Sequence, residues 1–261
     1  MPPPPHRTTP PADTVARLRA AGCVFAEDEA ALLVDAARDP AHLADLVARR
    51  VAGLPLEHLL GWAGFAGLRV QVDPGVFVPR RRTEFLAEHA AALAAPGAVV
   101  VDLCCGCGAV AAAVRARVPG VDLHAADLDP RAVDCARRNL PGAAVHRGDL
   151  LAALPAELRG RVSVLVANVP YVPTAAIDLM PPEARAHEPH TALDGGADGL
   201  DLHRRLAAEG APWLAPGGHL LTETSAEQAP TAVAVLAAAG LDARAEHDPD
   251  RDATIVLGRA P

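Results

Sequence analysis

From Gly97 onward, short apolar runs alternate with helical segments, and this alternation limits the possible folds more than any other feature of the sequence. The apolar runs resemble buried strands and lie at residues 98–103, 122–127, 143–146, 162–167 and 219–223. The helical segments lie at residues 109–117, 131–139, 202–214 and 227–239, and a final strand pair lies near 243–246 and 254–257. This order predicts a doubly wound α/β sheet whose ligands bind at the C-terminal ends of the strands.

The residues at the start of the chain divide into a tail and a helical part. Residues 1–12 are rich in proline, and we expect them to be disordered. Residues 13–54 predict a small helical domain, because three short helical patterns are separated by a glycine and by an Asp-Pro break. These helices are expected at residues 14–21, 27–37 and 40–51.

Residues 55–82 differ in character and predict a linker built on a β-hairpin. Glycines punctuate this segment, and residues 68–72 alternate apolar with polar side chains, as half-buried strands do. Thr83 is then expected to cap a helix that runs to about residue 95. The main domain is therefore expected to span residues 83–261.

Charge and composition argue against several classes of function. The formal net charge of −8 disfavours general binding to a nucleic-acid backbone, which requires a basic surface. No apolar run reaches the length of a membrane span, and the N-terminus lacks the apolar core of a signal peptide. The five cysteines are not spaced as a disulfide framework, so we expect a cytoplasmic protein in a reducing environment.

The first strand of the main sheet leads into a glycine-rich turn, Cys104-Cys105-Gly106-Cys107-Gly108, that precedes a helix. Gly106 and Gly108 let the backbone approach a ligand, and the helix N-terminus offers unpaired N–H donors. Asp127 ends the next strand, where a carboxylate can accept both hydroxyls of a ribose. Alone, this pattern fits an S-adenosylmethionine site, a nicotinamide or flavin site, or a structural turn. The three cysteines lie too close together to surround one metal ion, so we expect no metal site.

A second polar motif, Asn168-Val169-Pro170-Tyr171, follows the apolar run at 162–167. Asn168 Oδ1 and the Val169 carbonyl can accept the two hydrogen bonds of a planar NH2 group, and Tyr171 offers a flat wall. Pro170 and Tyr171 are expected to form an apolar floor that excludes water. The motif indicates chemistry on an amide or exocyclic amine nitrogen. Because it has no obvious use in hydride transfer, it favours the S-adenosylmethionine interpretation.

Several longer segments resemble the HemK/PrmC family of protein-(glutamine-N5) methyltransferases, which modify peptide-chain release factors. The resemblance extends from about residue 55 to 258, and the segments that carry it are residues 55–61, 65–68, 73–80 with Thr83-Glu84, and 188–200. It implies a seven-stranded, Rossmann-like class I methyltransferase that depends on S-adenosylmethionine. It also implies that the helical domain recognises the protein substrate.

The resemblance further implies which residues form the site. The expected substrate-binding residues are Asn168, Val169, Pro170 and Tyr171. The expected cofactor-binding residues are Asp102, Cys104, Gly106, Gly108, Asp127, Leu128, Asp149, Leu150 and Asn168, with Thr83 and Glu84 approaching from the linker. Within this set, Asp102 and the glycines are expected to contact the methionine part of the cofactor. Asp127 is expected to hold the ribose, and Asp149 is expected to lie beside the adenine. A helix cap and a favourable first-turn acid would explain Thr83 and Glu84 equally well.

Three positions depart from the family pattern. Cys104 stands where the family has a loop glycine, Val169 where it has a proline, and Ser163 where it has an acid. Two other functions are also compatible with the sequence. One is methylation of an exocyclic amine in nucleic acid, such as that of adenine, since similar motifs bind flipped bases. The other is a paralogue that binds partners without turnover.

Overall fold

The computed structural model describes residues 10–261, apart from the side chains of Pro182 and Ala184. Most of the expected proline-rich tail therefore lies outside the described residues. Its last residue, Ala12, is the first residue of helix α1 (Ala12–Ala20), so the helical part begins one residue earlier than expected.

Residues 12–51 form three helices: α1, α2 (Ala26–Ala36) and α3 (Pro40–Val51). The start of α3 follows from its sequence, because Asp39 Oδ1 accepts the His42 N–H at 2.8 Å and Pro40 occupies the first turn. The helices enclose a small core of their own, whose buried members are Leu18, Ala26, Ala30, Leu33, Leu46 and Val47.

The linker contains one short helix that the sequence did not predict, α4 (Leu56–Leu60), followed by the expected hairpin. Strands β1 (Trp62–Phe65) and β2 (Leu68–Gln71) pair in antiparallel register. Gly61 ends α4 with a φ of 75°, a left-handed conformation that glycine adopts without a steric penalty. The guanidinium of Arg69 lies 4.0 Å from the centre of the Trp62 ring across the hairpin.

The main domain is a sheet of seven strands in the order β5-β4-β3-β6-β7-β9-β8. Its strands are β3 (Val99–Leu103), β4 (Asp122–Asp127), β5 (Ala144–Arg147), β6 (Val162–Ala167), β7 (Leu214–Thr224), β8 (Asp242–Asp248) and β9 (Ala253–Arg259). The first five strands of this order are parallel, and β9 pairs with both of its neighbours in antiparallel register. The order reverses between β3 and β6, which confirms the doubly wound α/β fold.

Helices cover both faces of the sheet. The helices of this domain are α5 (Thr83–Leu93), α6 (Ala109–Arg117), α7 (Pro130–Asn139), α8 (Pro182–His187), α9 (Asp201–Gly210) and α10 (Ala229–Ala238), of which α8 belongs to the connection between β6 and α9. Residues of α5 to α7 share one apolar core with Val100, and residues of α9 and α10 share the other with Val101. Adjacent strand residues point to opposite faces, which is why a strand buried on both sides reads as an unbroken apolar run.

Two expectations about helices need correction. Helix α9 ends at Gly210 and not near residue 214, because Pro212 follows and the chain continues as a 3₁₀ turn at Ala211–Trp213. Thr83 does not cap α5: Arg82 occupies the cap position, and Thr83 is a buried first-turn residue. The Thr83 hydroxyl instead accepts a hydrogen bond from Asn168.

Candidate active site

A cavity of about 780 Å³ lies at the C-terminal ends of the central parallel strands. Its size is typical of a site for a ligand as large as a nucleoside cofactor. Polar side chains at four strand ends line it: Asp102 on β3, Asp127 on β4, Asn168 after β6 and Glu223 on β7. The topology therefore brings together residues that are far apart in the sequence, as expected at the switch point of a doubly wound sheet.

The turn after β3 is held by hydrogen bonds to main-chain and carboxylate groups. The Gly106 N–H donates to Asp127 Oδ2 at 2.8 Å, and the Cys105 N–H donates to the Ala126 carbonyl at 3.1 Å. Gly108 has a φ of 80°, and a Cβ there would lie 2.9 Å from Leu140 Cδ1. Gly108 therefore shapes the turn and lets α6 approach α7, whereas Gly106 lines the cavity itself.

Cys104 lies in the cavity wall with a φ of 52°. This left-handed conformation is disfavoured for residues with a Cβ, so the turn carries backbone strain at the position where the family pattern has glycine. Burial raises the pKa of the Cys104 thiol, with the Asp127 and Asp102 carboxylates adding to the effect. The thiol is thus neutral, and the residue acts as a small apolar group.

Two carboxylates face the turn. Asp102 is 1% exposed and accepts the Ala111 N–H at 3.0 Å, and burial raises its pKa to about 7. Asp127 accepts N–H groups from Gly106 and Asp129, and burial also raises its pKa. Carboxyl groups that line a cavity in this way are suited to a ligand that brings hydroxyl or ammonium donors.

The loops after β4 and β5 form another wall of the cavity. Leu128 is 60% exposed there, while Leu150 is buried with a φ of 45°. Asp149 pairs with Arg205 of α9, with Oδ2 and Nη2 3.0 Å apart. Arg205 also lines the cavity, so this wall combines apolar surface with an exposed ion pair.

The motif after β6 lines the opposite part of the cavity. Asn168 Nδ2 donates to Thr83 Oγ1 at 3.3 Å, which orients the amide and leaves Oδ1 as its acceptor atom. Val169 and Pro170 are buried, and the Tyr171 hydroxyl donates to Glu223 Oε1 at 2.7 Å. The motif therefore offers hydrogen-bond acceptors beside a fixed aromatic ring.

A second loop supports this motif from behind. The Val172 N–H donates to the Leu193 carbonyl at 3.1 Å, and the Gly195 N–H donates to the Val172 carbonyl at 2.8 Å. A Cβ at Gly195 would lie 2.8 Å from the Pro170 carbonyl, and one at Gly199 would lie 2.2 Å from the Tyr171 carbonyl. Only glycine allows the two loops to approach this closely.

Two of the three consecutive arginines in the linker form ion pairs around the cavity. Arg80 Nη2 lies 2.6 Å from Glu188 Oε2, and Glu188 Oε1 also accepts the Val78 N–H at 3.2 Å. Arg82 Nε lies 3.1 Å from Glu223 Oε1. Burial raises the pKa of Glu188, and Arg80 opposes that shift. The linker is thus attached to both the supporting loop and the end of β7.

The structure brings most of the expected site residues into one cavity, with two exceptions. Gly108 lies behind the turn, as described above. Glu84 does not line the cavity, because its Oε1 accepts the Ala66 N–H at 2.8 Å and joins α5 to the hairpin. Sequence reasoning missed Glu223, Arg82 and Arg205, which all line the cavity. Glu223 could have been predicted as a site residue, because it is an acid at the C-terminal end of an apolar strand.

Comparison with known proteins identifies the class. Residues 67–181 match the family model of the methyltransferase small domain. The fold is similar to that of a methyltransferase from Pyrococcus furiosus, with a TM-score of 0.55, 15% identity, and coverage of 74% of this chain and 89% of that one. The fold and the site thus define a Rossmann-like class I methyltransferase.

Curated relatives identify the family within this class. A release factor glutamine methyltransferase from Geobacter sulfurreducens is 36% identical over 219 residues, which cover 82% of this chain and 76% of that protein. Another from Streptomyces coelicolor is 44% identical over 185 residues, which cover 69% of this chain and 66% of that protein. The chain belongs to the release factor glutamine methyltransferase family.

S-adenosylmethionine is the methyl donor of this class, and the cavity fits it. The buried Asp102 and the partly buried Asp127 match a ligand with an ammonium group and ribose hydroxyls, and the volume of about 780 Å³ accommodates it. Within residues 10–261, histidine, cysteine and acidic side chains form no cluster that could hold a metal ion. No helix in the same part of the chain is long and apolar enough to span a membrane.

Proposed function

We propose that this protein transfers a methyl group from S-adenosylmethionine to the side-chain amide nitrogen of a glutamine in a peptide-chain release factor. The observation that carries the proposal is Asn168: its amide nitrogen already donates to Thr83, and its oxygen is left to accept from a ligand in the cavity. We call the part lined by Asp102, Gly106 and Asp127 the cofactor end. The part lined by residues 168–171 is the acceptor end.

At the cofactor end, the residues offer a partner for each part of the cofactor. Asp102 and the turn N–H groups would hold the methionine part, and Asp127 would accept from the ribose hydroxyls. Leu128, Asp149 and Leu150 would surround the adenine. Bound in this way, the cofactor supplies a methyl group made reactive by its sulfonium.

An amide nitrogen is a poor nucleophile because its lone pair is delocalised, and the residues at the acceptor end can compensate for this. Asn168 Oδ1 and the Val169 carbonyl would accept its two N–H bonds and direct the lone pair towards the methyl group. Alignment of this kind contributes up to about 7–11 kcal/mol in model reactions. The same acceptors would stabilise the positive charge that develops on nitrogen as the N–C bond forms and the S–C bond breaks. Sulfur would keep the electron pair of the broken bond, and one amide hydrogen would leave as a proton to water.

We place recognition of the release factor on the helical residues 13–54. Two large apolar side chains are exposed between α1 and α2, Val24 at 84% and Phe25 at 68%. Arg50 connects the helical part to α8, because it pairs with Glu29 of α2 at 2.6 Å and with Glu183 of α8 at 3.1 Å. Because α8 lies between Met180 and Pro189, which both line the cavity, a protein bound to Val24 and Phe25 would sit on a part of the chain that is joined to a segment beside the site.

The direct test is to incubate the purified protein with S-adenosylmethionine and a release factor and to map the mass gain on peptides. We expect one methyl group on one glutamine, and none when that glutamine is replaced by alanine. Methylation of RNA or DNA but not protein would assign the nucleic-acid function instead. Cofactor binding in calorimetry without transfer to any acceptor would indicate a paralogue that lacks turnover.

The recognition surface is tested by Phe25→Ser. We expect the KM for the release factor to rise about tenfold, since a partly exposed aromatic contact contributes on the order of 1–2 kcal/mol. The cofactor affinity should not change. An unchanged KM would contradict this placement. Because release factors act on ribosomes, we also place the protein in the cytoplasm, where its five free cysteines stay reduced.

A further inference from the structure

Glu223 is a buried acid that the reaction described above does not use. It ends the apolar part of β7, is 1% exposed, and lies in the cavity wall. Its Oε1 accepts the Tyr171 hydroxyl at 2.7 Å and Arg82 Nε at 3.1 Å. Its Oε2 is buried and has no hydrogen-bond partner among the described residues.

Burial of such a carboxylate lowers the stability of the folded protein. Removing a charge from water is unfavourable unless its hydrogen-bonding capacity is met, and here one oxygen is unpaired. Arg82 offsets part of this cost, although its side chain is 45% exposed and the pair is therefore partly screened. Buried, incompletely paired charges concentrate at functional sites, so the contacts of Glu223 are informative.

Tyr171 is held at both of its ends, by the last residues of β7 and by the turn that leads into α10. Glu223 accepts its hydroxyl, while Gln228 Nε2 donates to its carbonyl at 2.9 Å. Gln228 is itself fixed, because its Oε1 accepts from the Thr224 hydroxyl at 3.1 Å and from the Ser225 N–H at 3.2 Å. The ring beside the acceptor site thus depends on β7, two strands away from the cofactor turn on β3.

We propose that Glu223, with Arg82, is a positioning residue for the methyl acceptor: it fixes the Tyr171 ring that forms the wall against which the substrate amide is aligned. The inference rests on the proposed function and extends it to a residue outside the Asn-x-Pro-Tyr motif. Arg82 lies next to Thr83, which engages Asn168. One stretch at the start of α5 therefore supports both polar residues of the acceptor end.

The test compares Glu223→Ala and Glu223→Gln with Tyr171→Phe and the two double variants. We expect Glu223→Ala to lower kcat by about 10–100-fold, because a small misplacement of a positioning group has effects of this size. Glu223→Gln retains an acceptor for the tyrosine hydroxyl and should lose less. The cofactor Kd, measured by calorimetry, should stay within about twofold of wild type.

The double variants separate positioning from general destabilisation. If Glu223 acts through Tyr171, Tyr171→Phe combined with Glu223→Ala should be no slower than the slower single variant. Glu246→Gln provides a matched control, because Glu246 is a strand glutamate on β8 that pairs with Arg244 at 3.1 Å, away from the cavity. It should retain wild-type kinetics.

Three outcomes would overturn the inference. The first is a wild-type kcat in Glu223→Ala. The second is a double variant whose fold-decrease in kcat equals the product of the decreases in Glu223→Ala and Tyr171→Phe. The third is a fall in kcat that is fully explained by loss of folded protein, measured by circular dichroism. In that case Glu223→Ala and Glu223→Gln would have the same kcat. A wild-type enzyme that methylates no glutamine would instead refute the proposed function, and the variants would then be assayed on the acceptor labelled in a cell lysate.

Discussion

The cofactor end of the cavity is held by contacts that span a short stretch of the sequence, whereas the acceptor end is held by contacts between residues that are far apart in the sequence. At the cofactor end, the Gly106 N–H donates to Asp127, 21 residues further on. At the acceptor end, Asn168 contacts Thr83 from 85 residues away and Tyr171 contacts Glu223 from 52 residues away. Binding of the cofactor and alignment of the acceptor should therefore respond to different substitutions.

Asn168→Ala is expected to have the largest effect, and it should affect only the acceptor end. Loss of the amide removes one acceptor for the substrate N–H and should lower kcat by about 10²–10³-fold. The cofactor Kd should stay near the wild-type value, because the Gly106–Asp127 contact does not involve Asn168. Methyl incorporation and calorimetry measure the two quantities. A parallel loss of cofactor affinity would show that the two ends are not separate.

Asp102→Asn examines the cofactor end through the dependence of stability on pH. Burial raises the pKa of Asp102 from 3.8 to about 7, so between these values the folded chain keeps a proton that the unfolded chain has released. Folding then binds a proton, and the stability of the ligand-free protein falls as the pH rises through this window. Above pH 7 the full penalty applies, on the order of 2–4 kcal/mol.

The asparagine variant lacks this titration. Denaturant unfolding at a series of pH values should show it to be more stable than wild type at pH 8, with a difference that shrinks as the pH approaches 5. Asn can still accept the Ala111 N–H, so that contact is not a confounding loss. A constant difference across this range would mean that Asp102 is ionised in the folded protein at acidic pH.

The contrast between the two ends also explains what could be read from the sequence. The strands were predictable because burial on both faces makes each an apolar run, and Asp127 and Asn168 were predictable because ligands bind where such strands end. The roles of Glu223, Arg82 and Arg205 depend on pairings across the fold, which periodicity does not encode. Thr83 and Glu84 show the same limit, because the contacts of Thr83 with Asn168 and of Glu84 with Ala66 are tertiary and could not be read from the local sequence.

The Cys104 position allows the cofactor end to be altered with the smallest expected effect. Cys104 has a φ of 52°, a conformation that costs a residue with a Cβ about 1–2 kcal/mol and glycine almost nothing. Glycine also gives the unfolded chain more conformational entropy, which offsets roughly 0.4–1 kcal/mol of that gain. We therefore expect Cys104→Gly to be more stable than wild type by about 0.5–1 kcal/mol, measured by denaturant unfolding.

Cys104→Ala is the matched control for this substitution, since it removes the sulfur and keeps the Cβ. It should be less stable than the glycine variant by about 1 kcal/mol, because it retains the left-handed strain. Equal stability of the two variants would mean that packing of the half-buried sulfur, and not the backbone, governs this position. In either case kcat should change little, because the acceptor end has its own supports in Thr83 and Glu223.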